Sequence, residues 1–195
     1  MTITTVTPPA GPPVTLEEVK RRLRIDGTAS DDDLTFLVRA ATRVVEDATW
    51  RPMVQRTVDW TLDYFPAVLV VPRHPVQSVE SITYLDADGA ARTVTAEDYR
   101  LAPGGDRGPA RITPAPGTSW PVTHLVPEAV TVRLVVGFTP DGTDHGANVW
   151  PDLKAAVLFL VGHWDKIRTP VNVGNIVSEV PRTLEALAAP NRLVV

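Results

Sequence analysis

His74, His124, His145 and His163 are the residues of this 195-residue chain best suited to metal or proton chemistry. They stand far apart, and none falls in an H-E-x-x-H or comparable ligand spacing, so their pattern points to no metal site. His163 lies beside Trp164 and Asp165, but adjacent positions on a helix point in different directions and make no His-Asp pair. Ser30, Ser78, Ser81, Ser119 and Ser178 lack the G-x-S-x-G elbow that exposes a serine nucleophile. There is no cysteine, hence no thiolate, no disulfide framework and no Cys-based zinc site. Gly104-Gly105-Asp106-Arg107-Gly108 is rich in glycine, yet it lacks the Lys-Ser/Thr and the following helix of a phosphate loop and reads as a hairpin turn.

Two charged clusters remain. Asp31, Asp32 and Asp33 could ligate a divalent cation, but at a helix start they complement the positive end of the macrodipole and cap exposed N–H groups. Lys20, Arg21, Arg22 and Arg24 close the first helix, where the dipole favours cations. That cluster reads as a solvated helix end or a protein contact. The expectation is therefore no catalytic residue, no metal and no cofactor.

The elements that carry these residues can be read from hydrophobic period. Thr15 with Glu18 forms a capping box, and Leu16, Val19 and Leu23 follow on one face until Asp26-Gly27. Ser30 starts a second helix bearing Leu34, Leu37, Val38, Ala41, Val45 and Ala48, which Trp50-Arg51-Pro52 ends. The period then changes to 2 at Val58, Trp60, Leu62 and Tyr64. Short strands are predicted at Val68–Val71, Ser78–Leu85, Arg92–Val94, Tyr99–Leu101, Arg111–Thr113 and Ala129–Phe138. Pro151 opens a third helix carrying Leu153, Val157, Leu160, Val161, Trp164 and Arg168, which ends before Thr169-Pro170.

The expected fold class is α+β: N- and C-terminal helices packed as a small bundle, an inserted antiparallel β lobe and an extended C-terminal tail. In residue numbers, 1–14 is an extended arm, 15–52 plus 150–168 the helical module, 53–149 the β lobe and 169–195 a partner-docking tail. That tail is apolar and aperiodic, with one or two helical turns around Thr183–Ala188. Nineteen prolines, about twice the roughly 5% background, keep elements short.

Apolar residues make up 44% and charged residues 22%, which excludes wholesale disorder and a fibrous repeat. A formal charge of −4, from 19 Lys plus Arg against 23 Asp plus Glu, argues against a protein that wraps nucleic acid. The longest apolar run, Ala155–Val161, falls far short of the ~20 residues that span a bilayer. No basic region followed by an apolar stretch stands at the start, so the expectation is a soluble, cytoplasmic protein without membrane contact.

Several of these features recur in a known order. Leu16–Asp26, the Asp31-Asp32-Asp33-Leu34 start, Ala40-Ala41, Val45-Glu46 and Trp50-Arg51-Pro52 resemble the N-terminal signature of tailed-phage head-tail connectors, the gp6-like adaptor family. Pro75–Val79, Ile82–Asp86, Trp120-Pro121, Val136-Gly137-Phe138, Pro151–Ala156 and Pro181–Arg192 are similar to the longer adaptors with a β insertion, including those of phage-derived gene transfer agents. The resemblance implies a structural protein in a ring, usually of twelve copies, beneath the portal in the neck of a virion or virus-like particle. It would be assembled in the host cytoplasm, with DNA passing through the lumen without sequence-specific binding. The resemblance implies portal protein and a stopper or tail-completion protein as partners. The portal-binding residues expected on the tail are Val171, Val173, Ile176, Val177, Val180, Leu184, Leu187, Arg192, Leu193 and Val194. Two other readings stay open: a small ligand-binding module, or an acid-base enzyme of the β lobe using Asp98, Asp106 or His124.

Overall fold

The computed structural model describes residues 1–106, 108–166 and 181–193. The fold is α+β and comprises two compact units. The first joins Met1–Ala10 to Gln55–Phe138, together with Leu193, and the second joins Gly11–Val54 to Thr139–Arg192.

In the first unit a five-stranded antiparallel sheet has the order β1-β2-β8-β4-β5. Its strands are β1 (Thr2–Thr7), β2 (Arg56–Leu62), β4 (Val76–Leu85), β5 (Ala91–Thr93) and β8 (Val130–Val136). A three-stranded sheet orders β3 (Leu69–Val70), β7 (Arg111–Pro114) and β6 (Tyr99–Ala102). The central strand β8 alternates between buried and half-buried residues along its whole length, which is what period-2 apolar residues impose. Its register places Leu134 opposite Val58 and Val132 opposite Trp60. These side chains share one core with Ile82 of β4 and with Leu69 and Ile112 of the second sheet. Each such side chain, taken out of water, contributes roughly 1.5–3 kcal/mol. On the other face Asp59 and Arg133 sit opposite and form a two-pronged ion pair at 2.7 and 2.8 Å.

The extended arm expected over 1–14 takes part in this sheet. Thr2–Thr7 pairs with β2 as an edge strand. It is almost wholly exposed, so it carries no alternating apolar pattern; its β-branched Thr, Ile and Val residues suit extended pairing instead. The 53–149 lobe is likewise shorter, because 139–149 groups with the helices. There Gly146 passes so close to the chain that an added Cβ would lie 1.9 Å from the Pro13 carbonyl oxygen. Only glycine fits that approach.

In the second unit, helices α1 (Leu16–Leu23), α2 (Asp31–Thr49), α3 (Pro151–Lys166) and α4 (Pro181–Ala188) pack together, with α2 and α4 both against α3. The capping box at α1 is complete: Glu18 N–H donates to Thr15 Oγ1 (3.1 Å) and Thr15 N–H donates to Glu18 Oε2 (2.7 Å). Ser30, read as the cap of α2, makes no side-chain cap, since its φ of −107° and ψ of 7° are not the extended geometry a cap needs. Asp31 turns instead to Lys20 Nζ at 2.7 Å. The buried face of α2 is Leu34, Val38, Ala41, Val45 and Thr49. Within the tail expected over 169–195, the helical turns read around Thr183–Ala188 form helix α4, Pro181–Ala188. Pro181 opens that helix, where its missing N–H costs nothing, and Leu184, Leu187 and Ala188 recur at three- and four-residue spacing.

Candidate functional site

Of the residues expected to dock on a partner, Val171, Val173, Ile176, Val177, Val180 and Val194 lie outside the described residues. Leu184 and Leu187 are half-buried on α4, and Arg192 is exposed. Leu193 is already 95% withdrawn from water in the single chain, at 5% exposure.

What holds this end of the chain is a buried polar knot that hydrophobic period did not reveal. Arg51 and Asn191 are both 0% exposed. Arg51 Nε donates to the Asn191 carbonyl at 2.6 Å, and its guanidinium lies 4.9 Å from the centre of the Trp150 ring. Asn191 Nδ2 donates to Asp152 Oδ2 and to the Leu187 carbonyl. An arginine and a carboxylate placed on neighbouring helix ends are thereby bridged by one asparagine. Hydrogen bonds to charged groups contribute about 1.5–3 kcal/mol each, enough to fix the turn Ala189–Asn191 against the helices. The signal in the sequence was the Trp50-Arg51-Pro52 motif, read as a helix stop and as part of the connector signature but not as a buried polar contact.

The chemistry-bearing side chains do not converge. No group of three His, Cys, Asp or Glu side chains gathers among the described residues. His124 Nδ1 lies 3.1 Å from the Ala87 carbonyl, and the His163 ring lies along Phe159 with centroids 6.5 Å apart. Asp98 takes a hydrogen bond from the Thr95 hydroxyl beside a short turn. The glycine-rich stretch connects antiparallel β6 and β7, as a hairpin does. Resolved pKa shifts follow structural contacts: the Asp59 partner raises Arg133, and the Arg92 partner followed by the Ala90 N–H lowers Asp86. Burial raises Tyr99.

The surface offers more. Phe36 on α2 is 67% exposed, and Leu125, in the loop before β8, is 96% exposed. That loop is nonetheless fixed. Trp120 stacks on Phe65 with centroids 4.8 Å apart, Glu128 N–H donates to Asp63 Oδ1, and His124 N–H donates to the Leu85 carbonyl. Between α1 and α3 an open cleft of about 460 Å³ is lined by Glu18, Arg21, Arg22, Arg24 and Leu158.

Solved structures share this arrangement over the whole chain. A chain from the neck of an empty gene transfer agent (GTA) particle, computed with C6 symmetry, matches with a TM-score of 0.79 at 25% identity. The match covers 100% of this chain and 97% of that one. The fold is that of a GTA neck chain. A chain of the native GTA virion gives the same TM-score, identity and coverage. A neck chain of the native GTA particle, computed with C12 symmetry, shares the fold at a TM-score of 0.78 and 22% identity, with the same two coverages. No protein-family model matches the sequence, and neither does any curated protein. The neck fold thus accounts for the chain end to end, with both units and the terminal strand β1 included.

Proposed function

We propose that this protein is a structural, non-enzymatic head-tail connector: an adaptor that forms a ring under the portal, links capsid to tail and continues the DNA channel. The observation that carries this reading is the end-to-end likeness to GTA neck chains, 100% of this chain against 97% of the other at 25% identity. A partial match would have left one unit free for another task. The ring has twelve copies, its partners are portal protein on one side and a stopper or tail-completion protein on the other, and the C-terminal segment docks on the portal. Of the expected docking residues on α4 and beyond, Leu184, Leu187 and Arg192 keep surface to offer a portal. A net charge of −4 suits a lumen through which DNA slides, since a strongly basic wall would hold phosphates.

The test is imaging of particles made with and without this protein. Heads lacking it should package DNA and remain tailless or leaky, and density for the two units should appear as a ring beneath the portal in complete particles. Normal tailed particles from a strain without the protein would refute the connector reading.

A further inference from the structure

Helix α2 carries one large apolar side chain that its own bundle does not use. At about 100° per residue, Phe36 points roughly 180° from the Leu34, Val38, Ala41 and Val45 face, and that face is the one buried where α2 packs on α3. Phe36 is 67% exposed. Asp32 and Asp33, four and three residues earlier, flank it on the same side, and both are exposed. The result is an aromatic knob with two carboxylates on its N-terminal side and exposed Arg39, three residues on, at its other side.

The cleft between α1 and α3 has the opposite character. Its floor includes Leu158, and Arg21, Arg22 and Arg24 stand exposed around it. Its one acid, Glu18, already accepts the Thr15 N–H and lies 3.6 Å from Lys154 Nζ, so the rim is cationic. The cleft is wide and open to solvent, about 460 Å³, so an aromatic side chain from outside can lie against Leu158. The knob faces away from α3 and the cleft borders α3, so the two are distinct patches of one unit.

We propose that Phe36 of one copy seats in the α1/α3 cleft of the next, with Asp32 and Asp33 meeting Arg21, Arg22 and Arg24 around it. The occupant is a second copy because the apolar knob with its two carboxylates and the cleft with its three arginines complement each other in polarity and charge. Distinct complementary patches make a head-to-tail contact, which closes into a ring or runs on as a filament. A central aromatic anchor inside a charged rim is also the usual anatomy of a strong contact. The contact deepens the connector reading and rests on it for ring closure.

The absence of native cysteine makes the test direct. Full-length protein with Asp32→Cys and Arg22→Cys, treated with a short bismaleimide, should give a ladder of dimers, trimers and larger linked species, in solution or in purified particles. Either single variant should give none. In parallel, Asp32→Arg with Asp33→Arg should lower the assembled fraction at least about tenfold, as like charges brought together do. Arg21→Glu with Arg22→Glu should do the same, and all four changes together should restore assembly. Far-UV circular dichroism on each variant separates lost contact from lost fold. A double-cysteine protein that is folded but unlinked in both settings, or charge reversals that assemble like wild type, would overturn the contact. Wild-type protein present in necks without the ladder leaves the connector reading standing alone; a ladder in solution with no protein in particles leaves the contact standing alone.

Discussion

Replacing Asn191 by Ala tests whether the end of the chain is anchored in its own helices. The substitution removes the Nδ2 bonds to Asp152 and to the Leu187 carbonyl. The first is charge-assisted, about 1.5–3 kcal/mol, and the second neutral, about 0.5–1.5 kcal/mol. Against that loss stands Asn191 Oδ1, buried with no hydrogen bond among the described residues, whose removal returns part of an existing desolvation cost. The net expectation is a destabilisation of about 2–3 kcal/mol. For a chain of this size that corresponds to a fall in Tm of roughly 4–12 °C. Urea unfolding followed by tryptophan fluorescence, which reports Trp150 beside Arg51, gives the free energy, and hydrogen exchange at Arg192 and Leu187 gives the local opening. Truncation after Pro170 should cost more, because Arg51 loses the Asn191 carbonyl and α3 loses the packing of α4. A loss below about 0.5 kcal/mol in Asn191→Ala, with unchanged exchange, would refute the anchoring argument and favour a tail free to leave the bundle.

Thr15→Ala removes the side-chain half of the α1 capping box, the Oγ1 that accepts the Glu18 N–H, and should cost about 1 kcal/mol, read as a lower urea midpoint at unchanged slope. Leu134→Ala empties a fully buried site at the centre of β8 and should cost 2–5 kcal/mol in thermal or urea unfolding. Asp86 accepts the Ala90 and Asp88 N–H groups and the Arg92 guanidinium, and its folded pKa lies below the ordinary carboxylate value. Its contribution is therefore full above the unfolded value of about 3.9 and lost as pH falls through the lower folded value. NMR exchange at Ala90 should accelerate only in that acidic window, and Asp86→Asn should abolish the pH dependence.

The elements with a strong period were legible. β8 and β2 alternate because one face of each meets the core, and α1 announces itself through Thr15 and Glu18 at a fixed three-residue interval. β1 was not legible as a sheet strand, because an edge strand exposed on most of its surface has no buried face to pattern. α4 was legible only as one or two turns around Thr183–Ala188, because its length of eight residues gives a period little room to emerge. The Arg51 to Asn191 bond joins residues 140 apart, beyond the reach of any local window. Phe36 lies off the face Leu34, Leu37, Val38, Ala41, Val45 and Ala48 read for α2, and nothing in a one-dimensional pattern says what an outward aromatic residue meets. The portal-docking residues were chosen for apolar character alone, and character could not separate Leu193, already covered, from Arg192, still open.

The interleaving of the two units sets the order in which a nascent chain can finish them. The β unit can close once residue 138 has emerged, and β1 waits only for β2. Helix α2, complete at Thr49, must hold Leu34, Val38, Ala41 and Val45 open to solvent until α3 is synthesised to Lys166. At about 5–20 residues per second that interval lasts roughly 6–23 seconds. Over its last stretch, after residue 138, the ribosome carries a closed sheet unit tethered to an unfinished helix pair whose exposed apolar face lies on α2.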